Sequence, residues 1–302
     1  MSLPASSLLD VAPVEHPRHG RHLWHWIHKN WSITICSVVL LLLLIGALWP
    51  TGHLFYDPLA SNLADRFLRP FSTDRRGDFH LLGADFLGRD MVSRLLYSGR
   101  YSLLTAVGAT VIVTILGSII GIASGYFGGW FDALTMRVVD ALLALPVILI
   151  AIVLATIIGR GVFTLTAILA LTGWADFTRV VRAESMVVSS MAYVEASRSA
   201  GSSHTRLIFR TLLPNTVAVI TVMTTYSVAR FILMESSISF LGMGVVPPAS
   251  SWGGMVAEGR DYIFDAPYIS VIPGLIITIT VIAINFLGDA LRDRWDPRSN
   301  LR

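Results

Sequence analysis

The sequence holds one cysteine, Cys36, and one lysine, Lys29. A single thiol excludes an intrachain disulfide framework and any metal site built on several cysteines. A single lysine, outside any glycine-rich loop, excludes the phosphate-cradling pattern G-x-x-x-x-G-K-[ST]. If ATP drives this protein, another chain must hydrolyse it. The patterns H-E-x-x-H, G-x-S-x-G and S-x-x-K are also missing, so the common metalloprotease, serine-hydrolase and serine-lysine chemistries have no foothold. Charge is scarce too: 14% of residues are ionisable at neutral pH and 54% are hydrophobic. The mean hydropathy is +0.65. This places the 302-residue chain in the membrane class before any motif is read.

What is present follows bilayer dimensions. A spanning helix needs about 20 mostly apolar residues, and six stretches qualify: Ile33 to Pro50, Leu103 to Tyr126, Ala141 to Ile158, Phe163 to Val181, Thr216 to Met243 and Ile269 to Leu287. The expected fold class is all-α, a polytopic membrane protein with six transmembrane helices. An even count puts both termini on one side. Residues 1–31 form a polar tail with no apolar run, so no signal peptide is expected. Its His16, His19, His22, His25 and His28 recur every third residue, a spacing that drifts round a helix and cannot bring all five to one ion. The tail therefore reads as a juxtamembrane segment, with no metal site assigned.

Arginine placement sets orientation. Between Arg179 and Pro214 five arginines face Glu184 and Glu195, whereas 244–268 has Arg260 against Glu258, Asp261 and Asp265. The first loop is expected inside and the second outside. Both termini then lie in the cytoplasm. The expected division is a tail at 1–31, a first span at 32–50, an external segment at 51–101, a five-helix core at 102–290 with an inner loop at 183–215, and a tail at 291–302.

Local patterns add detail. Gly117, Gly121 and Gly125 recur every fourth residue, which lets a neighbouring helix approach closely. Met91, Leu95 and Leu96 suggest a short surface helix ahead of the second span. Arg137 and Asp140 are spaced to pair, and Pro146 is expected to kink the third span. Arg230 and Glu235 are ionisable groups inside an apolar run, so they line a path or meet a partner helix. Asp176 is another deep ionisable group. Gly242, Gly244, Pro247 and Pro248 break the fifth span, and Trp252 is expected at the outer interface.

The inner loop, Tyr193 to Asn215, is the most informative stretch. Met186 to Ala200 can run as a helix that Gly201 stops with a left-handed residue, and Ser202 or Ser203 can cap a second helix that Pro214 closes. Leu207, Ile208 and Leu212 fall on one side of this knuckle, with Arg198, Arg206 and Arg210 available to water. The pattern Glu195-Ala196-Ser197, Gly201, Leu213-Pro214 resembles the EAA loop, E-A-A-x3-G-x9-I-x-L-P, of permeases in binding-protein-dependent ABC importers. Ser197 stands for the second alanine and Thr211 for the isoleucine.

Three further stretches narrow the resemblance. His80 to Leu103 is similar to the H-x-L-G-T-D-x-x-G-R-D-x-x-S-R-L signature of the dipeptide, oligopeptide and nickel importer permeases, with Ala84 for threonine. Ser237 to Met255 resembles that family's S-F-L-G-L-G-x-x-P-P-x-x-x-W-G-x-M element. The stretch from Pro273-Gly274-Leu275 to Asp296-Pro297 resembles its closing motifs. The resemblance implies a type I importer transmembrane domain in a bacterial inner membrane, importing peptides. It also implies a non-catalytic chain that binds no cofactor, ATP and magnesium being held by two partner ATPase subunits. The other implied partners are a second homologous permease, an external substrate-binding protein and the lipid membrane, with no nucleic acid. By the same resemblance the loop carrying Glu195, Ala196, Ser197, Gly201, Arg206, Leu213 and Pro214 docks on the ATPase. An importer of nickel or a metal chelate is the alternative, and an ion-coupled carrier a remoter one.

Overall fold

In a computed structural model the described residues are 31–49 and 56–295. The His-rich tail, Asp296-Pro297, Arg298 and Arg302 lie outside them. The described residues are mostly helical. Helix α1, Trp31–Leu48, packs beside helix α2, Met91–Phe127. Helices α3, Gly129–Leu143, and α4, Val147–Ile158, meet at 86°. Then come α5, Val162–Ser189, two short helices, α6 (Ala192–Ser199) and α7 (His204–Leu207), and α8, Leu213–Ile238. A short helix α9, Trp252–Arg260, and the closing helix α10, Tyr268–Trp295, complete the order.

The core is the seam between α2 and α5, and glycine makes it possible. A Cβ on Gly117 would lie 2.7 Å from the Phe177 ring, one on Gly121 2.9 Å from the Thr178 carbonyl, and one on Gly125 2.7 Å from the Arg182 carbonyl. The two backbones touch where no side chain fits between them. Away from this seam, Leu104, Val107, Val111, Ile115 and Ile119 form an exposed apolar stripe along α2. Such a stripe is stable against lipid tails and a liability in water.

Several expectations are corrected. Met91 does not open a separate surface helix, because it is the first residue of the 37-residue α2, about 55 Å long. The polar residues of its first turns are held by other elements: the Arg100 guanidinium donates to the Ala47 and Trp49 carbonyls at 3.0 and 2.9 Å, satisfying the open end of α1. The third expected span is not one kinked helix. Pro146 lacks the N–H that would continue α3, and the chain restarts as the 12-residue α4, about 18 Å long against a hydrocarbon layer of roughly 30 Å. Pro214 does not close a helix either. Helix runs from His204 to Met243, and a π-helical stretch, Ile208–Leu212, takes up the missing Pro214 donor. Asp140 pairs with Arg179 of α5, not with Arg137.

Among the described residues three helices are long and apolar enough to cross a membrane, or four if the bent α3–α4 pair is one span. Helix α1 is shorter, and α5 carries Asp176, Arg179, Arg182 and Glu184 in its second half.

Residues 56–90 form a compact cap over the N-terminus of α2. A hairpin of β1 (Ser72–Thr73) and β2 (Phe79–His80) pairs Ser72 with His80. Its turn is tied by the Asp74 carboxylate, which accepts from the Arg76 and Asp78 N–H groups, both at 2.8 Å. Gly88 sits at φ 75°, where a Cβ would drive into the Asn62 carbonyl, so the cap closes on its own backbone.

Candidate functional site

The knuckle between α5 and α8 is built from three local rules. Helix α5 ends at Ser189, and Met191 is extended at ψ 140°, so Met186 to Ala200 is two helices rather than one. Helix α6 stops in a Schellman motif: Gly201 takes φ 82°, its N–H donates to the Arg198 carbonyl (3.0 Å), and the Ser202 N–H donates to the Ser197 carbonyl (3.2 Å). The Ser203 hydroxyl then accepts from the Arg206 N–H at 3.4 Å and starts α7. Val194, Leu207 and Leu212 are buried and anchor the knuckle to the bundle. Its outer face presents Glu195, Ala196, Gly201, Arg206 and Pro214, together with Tyr193, Arg198 and Phe209, the last 65% exposed. Ser197 and Leu213 are half-buried.

The knuckle is also fastened to the end of α2. The Tyr126 hydroxyl and His204 Nδ1 are 2.8 Å apart, and the Arg198 guanidinium lies 5.1 Å from the Tyr126 ring centre. One turn away, Asp132 of α3 accepts from the Ser124 hydroxyl at 2.5 Å and from Arg182 Nη2 of α5 at 2.6 Å. The knuckle thus meets α2 at Tyr126, beside the Ser124–Asp132–Arg182 link that joins α2, α3 and α5.

At the opposite end of α2, the stretch after α8 folds back. A second π-helical stretch, Ser239–Met243, is kinked at Gly242, φ 82°, whose carbonyl accepts from Arg160 at 2.9 Å. A Cβ on Gly244 would strike the Ser239 side chain, and Pro247–Pro248 is a cis bond. Trp252 is not at a lipid interface. It is 2% exposed, lies against Gly99, and donates its indole N–H to the Leu95 carbonyl at 2.9 Å. A buried indole needs such an acceptor, and the first turns of α2 supply it.

The two ionisable residues expected on the path have separate fates. Arg230 pairs with Asp176 of α5, and both side chains are partly exposed. Glu235 is 0% exposed, so it lines no open path in this conformation. Its Oε1 accepts from Ser239 at 2.6 Å, four residues on in the same stretch, and its Oε2 is buried without a hydrogen-bond partner among the described residues.

The cap is sewn to α9 by a network with no sequence-stretch of its own. Asp85, fully buried, accepts from Arg89 Nε (2.7 Å) and Arg94 Nη1 (2.5 Å), and both arginines reach Glu258 at 3.3 and 2.8 Å. His80 Nδ1 lies 2.8 Å from Asp90, which also caps α2 by accepting from the Ser93 N–H. Desolvation pushes the Asp74 carboxyl up, but the N–H groups of Asp78 and Arg76 and the nearby His80 outweigh it and hold the group below its ordinary value. Burial, with Asp78, Asp90 and Asp74 nearby, pushes the Tyr56 phenol up.

A family model described as "Binding-protein-dependent transport system inner membrane component" matches residues 117–300. The chain belongs to this family. A Brucella abortus protein described as a peptide transport system permease is 41% identical over 273 residues, 89% of either chain. The glutathione transport system permease protein GsiD of Pectobacterium atrosepticum is 34% identical over 282 residues, covering 92% of this chain and 91% of its own. A chain of the MetNI methionine ABC transporter, solved in inward-facing conformations, shares the fold at a TM-score of 0.51 and 17% identity, over 68% of this chain and 97% of its own. The protein is therefore a multi-pass inner-membrane permease subunit of an ABC importer, with the type I membrane fold.

Read as a permease, the chain has its conspicuous polar features at the two ends of one helix, α2. The knuckle was legible from Glu195, Gly201 and Ser203. Tyr126, His204, Asp132 and Arg182 were not singled out, and only the Asp85-x3-Arg89 spacing hinted at the cap network.

Proposed function

We propose that this permease forms half of a translocation pathway for short peptides, and that ATP-binding subunits drive it through the knuckle at Tyr193 to Asn215. The observation that carries the reading is the exposed outer face of that knuckle. Phe209, Tyr193, Arg198 and Arg206 stand in solvent on a turn fixed by Gly201, while its inner face is locked into the bundle. Aromatic and arginine side chains on a rigid support are the residues that anchor protein interfaces. The relatives named for peptides and for glutathione, itself a short peptide, support the substrate class.

In this reading six spans cross the inner membrane, counting α1, the α3–α4 pair and α5, and both termini are cytoplasmic. The knuckle faces the cytoplasm and the cap faces out. Two ATP-binding subunits hold ATP and magnesium, and this chain binds no cofactor and catalyses no reaction. A second homologous permease completes the pathway, on which Arg230 lies beside Asp176, and an external substrate-binding protein delivers the cargo. Closure of the ATPase pair moves the knuckle, and α2 passes that motion to the stretch around Trp252.

Reconstitution tests this. The complex purified through this chain, placed in proteoliposomes with its binding protein outside, should take up labelled dipeptide or glutathione only when ATP is inside. Uptake by this chain alone without ATP would replace the reading with a carrier.

A further inference from the structure

Two helical faces meet one turn before the Arg230–Asp176 pair. On α8, Val222, Met223 and Tyr226 share a side, and on α10 Asn285, Asp289 and Arg292, spaced by four and three, share another. Between them lies a cavity of about 300 Å³, at the small end of the range for ligand sites. Val222 and Met223 are half-buried and give it an apolar wall, while Tyr226, Asn285, Asp289 and Arg292 are exposed polar groups around it.

The chain leaves the charges of this cavity unpaired. Asp289 and Arg292 stand three residues apart, a spacing at which opposite charges on a helix can close on each other. Neither has an ion-pair partner among the described residues. Other arginines of the bundle are matched: Arg179 with Asp140, Arg182 with Asp132 and Arg230 with Asp176. A carboxylate and a guanidinium left open beside one apolar wall suit a ligand that carries an ammonium and a carboxylate of its own.

Spacing and position define that ligand. Residues three apart on a helix hold their Cβ atoms about 5–6 Å apart, and an extended dipeptide reaches about 7 Å from end to end. Both of its termini therefore meet both charges, whereas each added residue carries one terminus about 3.3–3.6 Å further out. Tyr226 precedes Arg230 by four residues, so one face of α8 leads from the cavity to the Arg230–Asp176 pair. Tyr268, at the start of α10, donates to the Leu68 and Ala84 carbonyls of the cap at 2.9 and 3.1 Å. Arg292 lies 24 residues later in the same helix, about 36 Å along it, so the cavity is at the end of the bundle away from the cap.

We propose that the cavity between α8 and α10 binds the two charged termini of a short peptide. Asp289 receives the α-ammonium, Arg292 forks onto the α-carboxylate, and Asn285 and Tyr226 supply hydrogen bonds to the peptide unit between them. Because the contacts are to termini and backbone, the site reads length and free ends, not side chains. This deepens the proposed function, on which it rests, by placing a peptide at the cytoplasmic end of the path.

The test uses the assembled transporter in nanodiscs of phosphatidylcholine, without binding protein or ATP, titrated with L-alanyl-L-alanine and followed by saturation-transfer NMR. Saturable binding is expected, at least about tenfold tighter than that of the N-acetyl dipeptide, the dipeptide amide or tetra-alanine, each of which loses one charged pair. Asp289→Asn should erase the preference for the free ammonium and keep that for the free carboxylate, and Arg292→Gln should do the reverse. These ratios are internal to each variant, so weaker assembly cannot imitate them. Wild type that binds the blocked dipeptides as well as the free one, or variants that keep both preferences, would overturn the inference. So would an absence of binding in a complex that imports labelled short peptides with its binding protein and ATP, as when the second permease fills the cavity; the proposed function would then stand. Binding lost only when phosphatidylethanolamine replaces phosphatidylcholine would assign the site to that zwitterionic headgroup and overturn it too. A complex that imports no short peptide at all would instead refute the functional reading beneath.

Discussion

Replacing Gly201 separates a conformational requirement from a steric one. At φ 82° this residue completes the Schellman turn between α6 and α7, yet a Cβ built there meets nothing within 4 Å. Only backbone conformation therefore opposes a side chain in the free permease. An L-residue in the left-handed region costs roughly 1–2 kcal/mol, which lowers the population of the correct turn about 5- to 30-fold. Asparagine tolerates that region, alanine does so poorly and valine worse, while proline both needs φ near −65° and loses the N–H that donates to Arg198. ATP-driven uptake in proteoliposomes, normalised to the ATP-binding subunit that co-purifies, should fall in the order Gly, Asn, Ala, Val, Pro. If Gly201→Asn is as damaging as Gly201→Val, bulk at the docked interface matters and not the turn. Full activity of Gly201→Val would remove the turn from the mechanism.

Three other outcomes are expected. Gly99→Leu must displace the Trp252 ring, which lies 2.8 Å from the position of a Cβ there. It should lower the thermal midpoint in detergent as much as Trp252→Ala, by about 3–5 kcal/mol of stability; a midpoint unchanged by both would contradict the packing of α9 on α2. Asp85→Ala strips a fully buried carboxylate from Arg89 and Arg94 and should cost about 3–5 kcal/mol. Glu258→Gln, at a side chain 30% exposed, should cost clearly less in the same assay. Phe264→Cys in a Cys36-free background, at a residue 97% exposed, should react with an impermeant thiol reagent added outside intact cells, and labelling only after permeabilisation would invert the topology.

Sequence pattern revealed what depends on neighbours along the chain. Gly201 and Ser203 were readable because a left-handed turn and an N-cap each draw on few residue types, and the glycine ladder of α2 because close packing tolerates little else. What failed to show depends on partners far away in sequence. The first turns of α2 read as a punctuated surface helix, since Ser93, Arg94, Ser98 and Ser102 are polar, but all four are buried, with Arg94 held by Glu258 and Ser102 accepting from the Trp252 N–H. Trp252 read as an interface anchor by composition alone, whereas Gly99 opens a slot for it 153 residues away. Pro146 and Pro214 show the two outcomes of a lost donor: one ends a helix, and the other is absorbed by a π-turn. Asp140 chose Arg179 over Arg137 because α5 runs alongside α3.

The central claim is that the knuckle receives the stroke of an ATP-binding subunit. A photo-cross-linking amino acid placed at Ala196, exposed on the outer face of α6, tests it directly in intact cells. A covalent product with the ATP-binding subunit, with a yield that changes when ATP hydrolysis is blocked, is the expected result. Cross-links to lipid alone, or a product with some other protein and none with that subunit, would contradict it.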